Sequence, residues 1–270
     1  MTDPALPDEG EAWDSGPPDS IGNPSGETRR LSRRLLAAWI ALAVVVAGVG
    51  SYALSRSELL DVDEVRVVGP TATGGWGPSP EDLVVATGVK LGSPLLGVDA
   101  TAVERMVADD PWVAAVEVDR RWPGTVEVWV RQREATANAV DPAAAVALLD
   151  AEGTVLEHRD GPVGDLPVVR VERLGRAGTR MAGLTPLLRA VDAVPAEVAP
   201  WIVALVPSAS GVVAELVGGA EAVLGLGEDY HDEFHSLATV LARVELACIV
   251  EIDVSLHASP VVRRDEARCG

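Results

Sequence analysis

The sequence predicts an α+β protein in three parts: one membrane-spanning helix, a small module ordered strand, helix, helix, strand, strand, and a β-rich unit. The sheet of that last unit is expected to be mostly antiparallel, with few helices on it. Three observations carry this reading. Residues 35–54 (LLAAWIALAVVVAGVGSYAL) are uncharged, and about 20 apolar residues match the hydrocarbon thickness of a bilayer. From Leu59 onward the apolar residues alternate, interrupted by four short stretches of helical spacing. Finally, 48% of the chain is hydrophobic but it holds one Phe and two Tyr, so the core has to be built from Val, Leu, Ala and Ile, which favours strands.

Residues 1–28 are rich in Pro, Gly, Ser, Asp and Glu, with almost no periodic apolar residues and no base before Arg29, a composition that cannot bury enough surface to order itself. With the basic run Arg29, Arg30, Arg33 and Arg34 they are read as a disordered acidic cytoplasmic tail, 1–34. Those four arginines precede the span 35–54, whereas Arg56 on the far side stands among Glu58 and Asp61. The excess of base on the N-terminal side places that end in the cytoplasm and everything after Ser55 outside it. The competing reading is a cleaved signal peptide with Ser51-Tyr52-Ala53 at the cleavage site. The polar leader is too long for that, and the apolar run exceeds the usual core of roughly 7–15 residues.

The small module is expected over 59–133. Val62, Val65, Val67 and Val68 form a first strand ended by Gly69-Pro70. Ser79-Pro80-Glu81-Asp82 reads as a helix start, with Ser79 as N-cap and Pro80 in the first helical position, and the helix runs through Thr87 to stop at Gly88. Asp99 or Thr101 caps a second helix in which Val103, Met106 and Val107 share one face. WVAAVEVDR (112–120) and TVEVWVRQR (125–133) then pair as a hairpin about the turn RWPG (121–124).

The second unit is expected over 134–264, with a polar tail at 265–270. AAVALLD, GTVLEH, LPVVRV, IVALVPS, GVVAELV, EAVLGLG and ACIVEIDVS read as short strands. Thr185–Ala193 and Asp232–Glu245 are helices, the latter with Phe234, Leu237, Val240, Leu241 and Val244 on one face.

A net charge of −19 excludes a nucleic-acid role, which depends on clustered Lys and Arg. Two cysteines, Cys248 and Cys269, provide neither a disulfide framework nor zinc spacing. Whether they pair is left open, with Cys248 read as a small buried hydrophobe. His231 and His235 stand four apart, but HDEFH displaces the Glu from its place in the zinc-protease pattern. No nucleophile elbow, phosphate loop or dinucleotide fingerprint is present. No catalytic residue, metal or cofactor is therefore nominated. Trp112 and Trp129 are assigned to packing on their strands, and Trp122, in the turn, to stapling it or facing a partner.

ATGVKLGSPLLGVD (86–99) followed by VERMVADDPWVAAVEVDRRWPGTVEVWVRQRE (103–134) resembles the POTRA domain of the FtsQ/DivIB family of bitopic bacterial division proteins. Pro111-Trp112-Val113 and Arg121-Trp122-Pro123-Gly124-Thr125-Val126 carry most of that resemblance. LLDAEGTVLEH (148–158), LPVVRV (166–171) and EIDVSLHASPVVR (251–263) resemble successive landmarks of the family's β domain, and richness in Ala, Val, Gly and Arg suits a high-GC Gram-positive source. The resemblance implies a scaffold without catalysis at the division septum, linking early and late division proteins. It also implies that the β domain binds FtsB/DivIC-like and FtsL-like bitopic partners and that the POTRA domain serves recruitment. One departure is Phe234, near which many relatives have a Lys.

The last strand, Ile249 to Leu256, is followed by a polar tail and is therefore expected at a sheet edge, where a partner strand can extend it. The candidate partner-binding residues are Ile249, Glu251, Asp253, Ser255, Leu256 and His257, together with Trp122, while Val250, Ile252 and Val254 face the core. Two other functions compete: a POTRA component of envelope protein assembly or secretion, which usually brings tandem units or a barrel, and a membrane-anchored envelope enzyme, which needs a pocket of convergent polar groups.

Overall fold

The structure is a computed structural model that describes residues 27–55, 60–70, 75–164, 166–265 and 267. The chain divides into two compact units at Leu54/Ser55. The acidic tail expected at 1–28 lies, up to residue 26, outside the described residues.

Helix α1, Glu27–Ser55, starts eight residues before the apolar run, within the stretch 1–34 read from the sequence as a disordered tail; Arg and Leu there have good helix propensity. Its segment Leu35–Tyr52 has a mean hydropathy of 2.1 and is long and apolar enough to cross a membrane.

In the second unit, β1 (Glu64–Val68), α2 (Pro80–Ala86), α3 (Ala100–Ala108), β2 (Val113–Arg121) and β3 (Thr125–Gln132) follow in order. The three strands form a sheet ordered β1-β3-β2, with β1 parallel and β2 antiparallel to β3. Helix α2 begins on a reciprocal cap. The Ser79 hydroxyl accepts from the Asp82 amide at 3.1 Å, and the Asp82 carboxylate accepts from the Ser79 amide at 3.0 Å. Asp99 caps α3 through the Ala102 amide. Leu83, Leu95, Val103 and Val107 bury against Val118, Val126, Val128 and Val130.

One expectation fails here because the helices cover a single, narrow sheet face. Met106 is 45% exposed because it stands about 60° round α3 from Val103, on the side away from Val107. Trp129 is also exposed, since its neighbours Val128 and Val130 point to the covered face and alternation turns Trp129 to the other.

The remaining strands are β4 (Ala137–Val140), β5 (Val146–Leu149), β6 (Val155–Arg159), β7 (Val168–Arg170), β8 (Ile202–Ser208), β9 (Gly211–Leu216), β10 (Glu221–Gly225), β11 (Ile249–Asp253) and β12 (Val261–Arg264). They make one nine-stranded sheet ordered β12-β11-β10-β9-β8-β7-β4-β5-β6. Pairs β10–β11, β4–β7 and β7–β8 are parallel and the others antiparallel. Helix α4 (Thr185–Ala193) connects β7 to β8, and α5 (His231–Leu241) connects β10 to β11. α5 stops four residues short of the expected Glu245, with Ala242 as its C-cap and Val244 packed on the core beyond the helix. Ala137, Ala139, Ala147, Ala214 and Ala222 are fully buried on the face that receives Leu187, Val191, Phe234 and Leu237. Small side chains there allow the helices to approach the sheet closely.

Trp112 is buried as expected, in a third cluster with Leu148 and Leu156 that joins the two sheets. Its indole N–H donates to Glu157 at 3.2 Å. Beside it, Arg133 after β3 pairs with the buried Asp150 after β5 at 2.7 Å.

Candidate partner-binding edge

The terminal strand differs from expectation in three ways. It ends at Asp253, not Leu256. It is not the edge, because β12 pairs along it on the side opposite β10. Its alternation is also broken: a register shift between Ile249 and Glu251 buries Ile249 and leaves Val250 half-buried, while Ile252 and Val254 keep their expected places in the core. A bulge of this kind inserts one residue and reverses the facing of what precedes it.

The candidate residues therefore divide. Glu251 and Asp253 lie on the face away from the helices, directly opposite Arg263 and Val261 of β12. Glu251 pairs with Arg263 at 3.0 Å. Asp253 accepts from the Ser255 amide at 3.0 Å and from its hydroxyl at 2.6 Å, which turns the chain out of the strand. Ser255, Leu256 and His257 sit in the connection to β12, all exposed, Leu256 at 73%. Ile249 is core. Trp122 belongs to the hairpin tip of the other sheet and is 60% exposed.

The edge itself is β12, whose sequence Val261-Val262-Arg263-Arg264 shows no apolar–polar alternation to signal it. Asp265 donates its amide to the Cys248 carbonyl at 3.0 Å. Alternation directs the amides of Val261 and Arg263 to the same side and turns those of Val262 and Arg264 away from β11. Val262 packs on the core, whereas Val261 is 63% exposed. Cys248, expected as a small buried hydrophobe, is half-buried and disulfide-bonded. Cys269 lies outside the described residues.

A carboxylate row crosses the same face. Glu215 of β9 stands opposite Glu221 of β10, which stands opposite Glu251 of β11. Like charges in register repel, and an arginine meets each end: Arg170 with Glu215 at 2.8 Å and Arg263 with Glu251. The Glu215 carboxylate raises the Arg170 guanidinium further above its ordinary range.

Elsewhere, a cleft of about 570 Å³ beside α4 is lined by Thr136, Glu152, Arg180, Arg189 and Asp192, and among the described residues no His, Cys or Ser stands on its wall. His231 and His235 are both exposed on α5. Among the described residues no group of His, Cys, Asp and Glu is arranged to hold a metal ion.

Residues 61–133 match the POTRA domain, FtsQ-type. Three relatives are each named Cell division protein FtsQ. That of Streptomyces collinus is 31% identical over 273 residues, covering 96% of this chain and 98% of the relative. That of Streptomyces bingchenggensis is 30% identical over 241 residues, covering 86% and 88%. That of Corynebacterium glutamicum is 25% identical over 218 residues, covering 79% and 93%. With two relatives at 30% identity or more aligned along most of both chains, and an FtsQ-type module where the strand, helix, helix, strand, strand order stands, the chain belongs to the FtsQ family of cell-division proteins.

Proposed function

We propose that the chain serves cell division as a scaffold without catalysis of its own, held at the septum by α1 with its N-terminus in the cytoplasm and its two sheets outside. In this reading an FtsB/DivIC-like or FtsL-like bitopic partner adds a strand to β12, and the POTRA segment serves recruitment. The observation that carries it is the edge position of β12, with the amides of Val262 and Arg264 turned away from β11. Backbone pairing supplies affinity, and exposed side chains beside the edge, Val261, Leu256 and Arg263, supply choice of partner. Glu251 and Asp253 act one strand further in, by fixing Arg263 and the turn before β12.

The test is capture of detergent-solubilised FtsB-like and FtsL-like partners by the full chain carrying Arg264→Pro, beside Arg264→Ala. Proline removes an outward amide and leaves the ladder to β11 intact. Loss of about tenfold or more in affinity, equivalent to about 1.4 kcal/mol, is expected for Arg264→Pro, and little change for Arg264→Ala. Equal binding by both overturns strand addition at β12. Truncation before β11 is unsuitable, because Ile249, Ile252 and Val254 complete the core.

A further inference from the structure

We infer that the end of the three-stranded sheet at which the chain enters it is a lipid-contact surface, with Trp122, Leu91 and Leu96 seated in the headgroup layer of the bilayer and Lys90 and Arg121 beside them. The inference rests on the reading that α1 spans that bilayer. Three segments far apart in sequence are brought together at this end. The Asp63 amide donates to the Gly124 carbonyl at 2.7 Å, which seats the hairpin tip 121–124 on the entering chain. The Val62 amide donates to the Ser93 carbonyl and the Gly92 amide to the Val62 carbonyl, both at 2.8 Å, which seats the loop 90–97 on the same residues. Gly124 is required for the fit, since a Cβ there would stand 2.6 Å from the Asp61 carbonyl oxygen.

The covalent tether bounds how far this end can move from the membrane. Asp61 follows Ser55, the last residue of α1, by six residues, which reach at most about 20 Å at ~3.3–3.6 Å each. The opposite end of the sheet can stand further away by the length of the five-residue strand β1, about 17 Å. On the limited end three large apolar side chains are bare: Leu91 is 67% exposed, Trp122 60% and Leu96 50%. Trp is the side chain suited to the membrane–water interface, apolar in body with one N–H to hydrate. Lys90 is the only lysine in the chain, and its long stem allows the ammonium to reach headgroup phosphates.

The acids at this end decide which force holds it. Asp99 is engaged in capping α3, and Glu64 pairs with Arg66 at 2.9 Å. Glu127 pairs with Arg121 at 2.9 Å, so Arg121 adds little net attraction. The exposed Asp63 and the nearby Asp61 offset the attraction of Lys90 for an anionic surface. Apolar insertion therefore dominates, and the contact forms on zwitterionic lipid and survives high salt.

The test places an environment-sensitive fluorescent amino acid at Leu91, at Val46 in α1, or at Leu226 of the full chain in phosphatidylcholine nanodiscs carrying a nitroxide just below the headgroup. Leu226 is 80% exposed and far along the chain in the turn after β10. Expected is loss of most emission at Leu91 and at Val46, with little at Leu226, unchanged by high salt. Adding Trp122→Ser and Leu96→Ser to the Leu91-labelled chain, both exposed positions, is expected to restore more than half of that emission. Quenching at Val46 with Leu91 behaving like Leu226 overturns the lipid contact and leaves the span intact. No quenching at Val46 overturns the membrane reading, and this inference with it. Equal quenching at Leu226, no rescue by the two serines, or loss of the contact in high salt each overturns the surface as assigned.

Discussion

The three-stranded layer and the nine-stranded sheet use the same Val-rich composition to different ends. In the small layer each element begins and stops on a nearby residue: Ser79 and Asp82 start α2, Gly88 at φ +64 follows its end, and Asp99 starts α3. Its core is entirely Val and Leu. In the large sheet the decisive contacts are between distant segments. β7 reaches its place between β4 and β8, and β11 its place beside β10, only because α4 and α5 cross the same face. The comparison teaches where stability is concentrated: local caps define the small layer, while a few buried side chains on two helices hold the large one in register.

The largest expected effect is therefore in α5. Phe234 is fully buried at the crossover between β10 and β11, and Phe234→Ala is expected to cost about 3–5 kcal/mol, read by denaturant unfolding. A cost under about 1 kcal/mol, the level of surface changes, would mean that the sheet does not depend on that helix.

Next is the junction. The Asp150 carboxylate, 2% exposed, accepts from Arg133 at 2.7 Å and from the Thr154 and Glu152 amides at 2.7 and 3.0 Å. Asp150→Ala removes all three and leaves Arg133 half-buried without its main partner. The expected cost is roughly 3 kcal/mol, at the low end for a broken buried pair because Arg133 still reaches water. Tryptophan fluorescence and far-UV circular dichroism are expected to shift together. A shift in fluorescence alone would mean that the two sheets separate before either unfolds.

The same contrast explains what the sequence revealed. The hairpin 112–133, the Ser79 cap and the span Thr185–Ala193 were legible because their signals lie within a few residues of one another. β12 was missed because Val261-Val262-Arg263-Arg264 has too few apolar residues to announce a strand, and its place follows from pairing with β11. That omission displaced the candidate edge by one strand. The bulge after Ile249 was equally hidden: an inserted residue leaves the alternation of Val250, Ile252 and Val254 intact on paper while turning Ile249 inward. Met106 was placed on the core face of α3 because amphipathic spacing identifies a face without saying how wide the opposing layer is.

A smaller effect tests the local side of the comparison. Ser79→Ala is expected to cost about 1 kcal/mol, the usual value of a lost N-cap, with the change confined to α2 in hydrogen-exchange measurements. The bonds from the Ser79 hydroxyl and amide hold the Asp82 carboxyl below its ordinary range. A lowered carboxyl contributes stability above its unfolded pKa that disappears as pH falls through the folded one. The difference between the parent and Ser79→Ala is therefore expected to shrink in acid.

The smallest effect at neutral pH is at Tyr230, and its sign distinguishes the large sheet from the small layer. Tyr230 opens α5 in the left-handed region at φ +60, fully buried, with its ring against Gly227 and its hydroxyl donating to the Gly225 carbonyl at 3.4 Å. Burial pushes the phenol up from its ordinary value, and Glu233 adds to the shift while the Gly227 backbone and Arg189 oppose it. An acid whose folded pKa is raised keeps its proton in the folded state after the unfolded chain has lost it. Its contribution is complete below the unfolded value of about 10 and is lost as pH rises through the folded one. Tyr230→Phe keeps the ring and removes the proton. With so long a hydrogen bond, the expected change at neutral pH is below about 1 kcal/mol. Above pH ~10 the parent is expected to lose stability that the Phe variant retains, and parallel alkaline unfolding curves for the two proteins would mean that the phenol is already solvated in the fold.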